Sequence, residues 1–136
     1  METEFKDLIG KTIIKINKQH DKIEFICEDE SSILKNVYII YVLHHVQDCC
    51  ESVYVEDING DLDDLIGTPI LQAEERTSKV NPDDFSEKHP DEYQDSFTWT
   101  FYHLATIKGY VTIRFYGESN GFYSESVDFY VDRYKE

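Results

Sequence analysis

The strongest constraint on the fold is the run S-F-T-W-T-F-Y-H-L-A-T-I-K-G-Y-V-T-I-R-F-Y at residues 96–116. Aromatic and β-branched residues recur on both sides of Lys108-Gly109. That is the composition of two strands joined by a tight turn. The alternation predicts a hairpin of Ser96–Ile107 with Tyr110–Tyr116. Val111, Ile113 and Phe115 then face one side, and Thr112, Arg114 and Tyr116 the other. A two-residue turn centred on Lys108-Gly109 sets Arg114 across from His103 and Phe101 across from Tyr116.

Other segments offer partners for this hairpin. Lys11–Asn17 and Lys22–Cys27 read as a second hairpin turning at Gln19, His20 and Asp21. Asn36–Leu43, rich in β-branched and aromatic residues, predicts a central strand covered on both faces, after a polar connection at Glu28–Ser32. Glu51–Asp57 alternates, with Val53 and Val55 on one side and Tyr54 and Glu56 on the other. Asn59-Gly60 marks a turn, and Phe122–Asp132 is the last strand. Phe5, Leu8 and Ile9 before Gly10, and Asp61–Ile66 before Gly67, have helical spacing. Pro69–Arg76 fits an edge strand or a short helix equally.

The expectation is an α+β fold, mainly β. It is a single domain over residues 1–136 with a twisted antiparallel sheet and one or two short helices. A long acidic loop occupies about residues 77–94.

The net charge of −15 sets the electrostatic character. Such a field repels nucleic acid and anionic membranes but attracts a basic protein. Met1 leads into Glu2, Glu4 and Asp7, unlike a secretory signal, and no apolar run is long enough to span a bilayer. A cytoplasmic setting with reduced thiols at Cys27, Cys49 and Cys50 follows.

The densest cluster of polar residues is H-V-Q-D-C-C-E-S-V-Y-V-E-D-I-N-G-D-L-D-D, from His45 to Asp64. Asp48, Glu51, Glu56, Asp57, Asp61, Asp63 and Asp64 form a candidate acidic partner-binding surface. Asp57-x-Asn59-x-Asp61-x-Asp63 has the alternate oxygens of a calcium loop, but Gly60 is out of position and Thr68 stands where the bidentate Glu belongs. Adjacent Cys49 and Cys50 beside His44 and His45 point apart and lack a second ligand pair, so they do not make a zinc site. The surrounding carboxylates also work against a Cys-His nucleophile, because they raise a thiol's pKa. No metal, cofactor or catalytic group is expected.

The second candidate is a ligand-binding face. It comprises Trp99, Phe101, His103, Arg114 and Tyr116, closed by Ser119 and Asn120. Aromatic rings stack on planar ligands, and a guanidinium pairs with phosphate.

Three stretches resemble a family of small proteins of unknown function found in phages and bacterial genomes, often of Gram-positive hosts. They are H-V-Q-D-C-C-E-S-V followed by E-D-I-N-G-D-L-D-D-L-I-G; T-W-T-F-Y; and S-N-G-F-Y-S-E-S-V. The resemblance spans about residues 38–130 and brings no activity. It implies a phage or mobile-element setting in which small acidic proteins block host defences.

The functional expectation is a small acidic, non-enzymatic binding protein with a counter-defence role, anti-CRISPR or similar. It occupies a host protein with a basic surface. One alternative is a small-molecule or nucleotide-like ligand held by the Trp99, Arg114 and Asn120 region. The other is a metal-dependent hydrolase using the Asp57–Asp64 acids. The oligomeric state is not encoded in any of these patterns.

Overall fold

A computed structural model of the chain describes residues 3–29, 37–48, 50–78, 96–119 and 124–135. Their strands are β1 (Ile13–Lys18), β2 (Lys22–Glu28), β3 (Tyr38–His44), β4 (Glu51–Asn59), β5 (Gln72–Ser78), β6 (Ser96–Thr106), β7 (Gly109–Ser119) and β8 (Asp128–Lys135). They form two four-stranded sheets, ordered β1-β2-β3-β8 and β4-β7-β6-β5, with every pairing antiparallel. The expected mainly-β architecture is present, but as two sheets instead of one. The expected helices are single 3-10 turns, an N-terminal one at Phe5–Leu8 and an acidic one at Leu62–Leu65. Four residues between extended flanks do not supply enough intrahelical bonds for an α-helix. None of the helices among the described residues is long and apolar enough to cross a membrane.

Inward residues of both sheets meet in one hydrophobic cluster, which is the geometry of a β-sandwich. Phe25, Tyr41, Leu43 and Phe129 come from one sheet, and Val53, Tyr102, Leu104, Ile113 and Phe115 from the other. β3 lies inside its sheet, and Ile39 through Leu43 are all buried, as the unbroken apolar run of that strand requires.

The β6–β7 hairpin forms with a different register. Ile107-Lys108 is the turn, so Arg114 lies opposite Phe101, Thr112 opposite His103 and Tyr116 opposite Trp99. The offset is an even number of residues, so every side chain keeps its expected face. Pro69–Arg76 resolves into an edge strand from Gln72, with Pro69 in a lone bridge to Thr12. That strand runs on to Ser78, so the acidic loop begins later than expected, and residues 79–94 lie outside the described residues. The last strand starts at Asp128, because residues 124–127 are drawn across the end of the sandwich.

The N-terminal turn closes one open side. Phe5 is buried against Tyr102 of β6 (centroids 4.7 Å apart) and Phe129 of β8 (5.3 Å), so a single ring touches both sheets. Phe5→Ala should cost about 3–5 kcal/mol, the range for a truncated core phenylalanine. Urea denaturation followed by tyrosine and tryptophan fluorescence measures this, and a loss below 1 kcal/mol would mean the turn is not part of the core.

Candidate functional site

Two crossings connect the sheets, β3 to β4 through residues 45–50 and β7 to β8 through residues 120–127. They share one corner, because His44 pairs with Asp128 while Glu51 pairs with Ser119. Buried polar side chains fill that corner. The His45 ring has Nδ1 2.7 Å from the Ser126 carbonyl oxygen and Nε2 2.8 Å from Glu51 Oε2. Both ring nitrogens therefore have a partner, one from each crossing. Glu51 Oε2 also accepts from the Asp48 backbone N–H at 3.0 Å, and its side chain is only 2 % exposed. Gln47 Nε2 donates to the Val53 carbonyl at 2.9 Å.

Glu125 binds the other crossing inward. Its two oxygens accept from Thr98 Oγ1 at 2.7 Å and Ser119 Oγ at 2.5 Å. The space it needs exists because residue 117 is glycine. A Cβ there would lie 2.8 Å from the Glu125 carbonyl oxygen and 3.2 Å from Val53 Cγ2.

The outer face of the β4-β7-β6-β5 sheet carries the aromatic residues. An outward sheet face in a small sandwich is ordinarily polar. Here Tyr54, Tyr116, Trp99 and Phe97 form a connected set, with Trp99–Tyr116 centroids 4.6 Å apart and Tyr54–Tyr116 6.0 Å apart. His20, from the β1–β2 turn, stacks on Tyr54 at 5.2 Å. Phe101, His103 and Tyr110 continue the face, each ring within 6.2 Å of the next.

Arg114 lies among these rings, its guanidinium 5.2 Å from the Trp99 ring centroid. A bulge in β4 between Val55 and Asp57 sets two consecutive acids against it. Arg114 Nε donates to Glu56 Oε2, and a terminal nitrogen is 3.7 Å from Asp57 Oδ2. A phosphate arriving here would have to compete with two carboxylates for the same guanidinium. Burial raises the Tyr54 and Tyr116 hydroxyls above the usual phenol range, and Glu118 adds to both shifts. These hydroxyls stay protonated as donors.

The structure therefore brings together Trp99, Phe101, His103, Arg114 and Tyr116, as the alternation predicts. It separates Ser119 from them, since Ser119 points inward to Glu125. Asn120 lies outside the described residues. Tyr54, Phe97 and Tyr110 also belong to the face; the period-two parity of β4, β6 and β7 was the signal for them.

The seven acids do not form one patch. Asp48 and Glu51 stand at one end of β4, Glu56 and Asp57 on its bulge, and Asp61, Asp63 and Asp64 beyond its other end. At about 3.3 Å per residue, β4 separates its ends by roughly 26 Å. Glu51 is buried, and Asp61 caps the acidic turn by accepting from the Asp63 N–H at 2.9 Å. Among the described residues, no three His, Cys, Asp or Glu side chains are placed to hold a metal ion.

The thiols differ from the expectation. Cys50 is disulfide-bonded instead of reduced, and Cys49 lies outside the described residues. Cys27 is a free thiol in the core, and burial pushes its pKa up to about 12.

The fold and this face together define an antiparallel β-sandwich that presents an aromatic sheet surface bordered by carboxylates. The chain belongs to the family described as a domain of unknown function, DUF7448, which matches residues 6–129. No curated protein and no solved structure matches it.

Two outcomes follow from this geometry. Glu51→Ala takes the acceptor away from His45 Nε2 and from the Asp48 N–H and should cost about 1–3 kcal/mol, read by denaturant unfolding at neutral pH. A cost within error of an exposed-site substitution such as Glu74→Ala would refute the corner's structural role. His103 has its pKa lowered, chiefly by burial and then by Arg76, with Glu74 opposing. Its Nδ1 lies 3.0 Å from Thr112 Oγ1 and 2.9 Å from the Tyr110 hydroxyl. The unfolded chain therefore holds the His103 proton more tightly than the folded one. Its contribution to stability is complete above the ordinary histidine range and is lost as pH falls through the lowered value. Nuclear magnetic resonance titration should place the His103 midpoint below the ordinary histidine range, and a midpoint above that range would reverse the sign.

Proposed function

We propose that the chain is a non-catalytic binding protein that takes a basic protein surface on the aromatic outer face of the β4-β7-β6-β5 sheet. One observation carries this reading: aromatic rings occupy outward positions that the core does not need, with Glu56, Asp57, Glu74 and Glu118 among them. Lys and Arg side chains bind such a surface by lying over rings while their charge meets carboxylates. Arg114 over Trp99, held by Glu56, is an internal example of that arrangement. The net charge of −15 adds long-range attraction for a basic partner. The engagement of Arg114 by two acids weighs against the nucleotide-like ligand.

In the phage or mobile-element setting that the sequence resemblance implies, the partner is a host protein whose basic groove serves nucleic acid. Filling that groove is a counter-defence action of the anti-CRISPR kind. Such a protein needs no cofactor and acts in the cytoplasm.

The test uses the partner captured from a host lysate. Tyr110 is 51 % exposed, so Tyr110→Ala leaves the core intact. Combined with Glu118→Lys, it should weaken the complex about tenfold or more, with steep loss of affinity as salt rises. Binding that is unchanged in this double variant, or indifferent to salt, rules out the face as the recognition surface.

A further inference from the structure

One imidazole of the outer face stands where a basic partner would land. His103 is partly buried on β6, its ring 6.2 Å from that of Phe101 and 6.0 Å from that of Tyr110, centroid to centroid. The other imidazole of the face, His20, stacks on Tyr54 on the β4 side. On β7, Thr112 lies opposite His103, and Thr112 Oγ1 and the Tyr110 hydroxyl both reach its Nδ1, at 3.0 and 2.9 Å. On β5, Glu74 lies opposite His103 and Arg76 opposite Phe101. Arg76 is 3.7 Å from Glu74, so it takes up part of the charge that would stabilise an imidazolium. Arg114, across from Phe101 on β7, is engaged by Glu56 and Asp57.

The two protonation states of His103 make different surfaces. The neutral ring continues the aromatic face, and its Nδ1 can accept from the Tyr110 hydroxyl. Protonation makes Nδ1 a donor, so that hydroxyl must turn its own hydrogen away. It also puts a full positive charge between two rings that otherwise receive a cation. Burial and then Arg76 hold the ring's pKa below the ordinary value, with Glu74 opposing. The neutral surface is therefore the one presented at neutral pH.

We propose that His103 is an acid-sensitive switch on this face, whose protonation releases a cationic partner. The inference rests on the outer face being the recognition surface. Its sign follows from linkage. A cationic partner binds the form with neutral His103 more tightly. Affinity is therefore full above the His103 midpoint and falls as pH drops through it. Exchange of one proton limits the fall to about tenfold per pH unit. Reciprocally, a bound cationic partner lowers the His103 midpoint.

The experiment titrates the full chain with an acetylated hexa-arginine amide, whose guanidinium groups keep their charge across the pH range used. Amide chemical shifts locate the binding, and histidine ring resonances give the midpoints. At about pH 7.5 the peptide should bind and shift Tyr110 and His103, and at about pH 5 its affinity should be about three- to tenfold lower. His103→Gln should change by less than about twofold over the same interval, relative to its own value at neutral pH. His20→Gln should keep the loss. Glu74→Gln should lower the His103 midpoint and carry the loss of affinity to lower pH, and Arg76→Gln should raise both. Those two side chains are 49 % and 72 % exposed, so neither change disturbs the core. A wild-type affinity indifferent to pH, a loss that survives His103→Gln, or an affinity curve that does not follow the midpoint in the Glu74 and Arg76 variants overturns the switch and leaves the docking face standing. No shift at Tyr110 at about pH 7.5 refutes the face itself, and the switch with it.

Discussion

Two buried carboxylates govern the geometry of the sandwich. Glu51 and Glu125 sit at the corner where the chain changes sheets twice: Glu125 accepts from Thr98 and Ser119, while Glu51 holds His45, whose ring reaches across to Ser126. A buried acid is costly unless its oxygens are satisfied, and here every oxygen with a described bond meets a donor. His45 engages Glu51 while its other nitrogen meets Ser126, the neighbour of Glu125. Removing one member would leave several others unsatisfied. The residues that make the H-V-Q-D-C-C-E and S-E-S stretches distinctive are therefore largely structural. They hold the relative position of the two sheets.

That fixed corner leaves the outer face free to serve another purpose. The bulge in β4 is the connecting device: one extra residue sets both Glu56 and Asp57 against Arg114. It converts the face's most buried cation into a neutralised one, so the character of the surface is aromatic and acidic. In a chain of net charge −15, this separates attraction at a distance from recognition at contact.

The strands were legible because alternation is local, and Tyr110 through Tyr116 read their own faces correctly. Ser119 was read onto the outer face, yet the same alternation, carried from Phe115 through Gly117, puts it on the inner face, where it bonds Glu125. What could not be read was pairing over long separations. Nothing near Glu51 says that its strand lies beside β7, and nothing near Tyr38 says that its strand lies beside β8. Two sheets rather than one follow from those choices. The hairpin register escaped because Ile107-Lys108 and Lys108-Gly109 are both acceptable turns. The buried status of Glu51, in a segment full of exposed acids, had no sequence signal at all. Neither did the contact of the buried Tyr102 ring with Phe5, which arrives from the other end of the chain.

The pairing of β3 with β8 also shapes how the protein is made. Leu43 and Phe129 are 86 positions apart, whereas β6 and β7 meet across a two-residue turn. Loop-closure entropy favours the short hairpin first and the distant strand last. Until β8 leaves the ribosome, β3 has one edge without its partner, and that edge is flanked by the most apolar run in the chain. The nascent protein thus passes through a stage with a sticky, unpaired strand. Its strong negative charge keeps neighbouring copies apart during that interval.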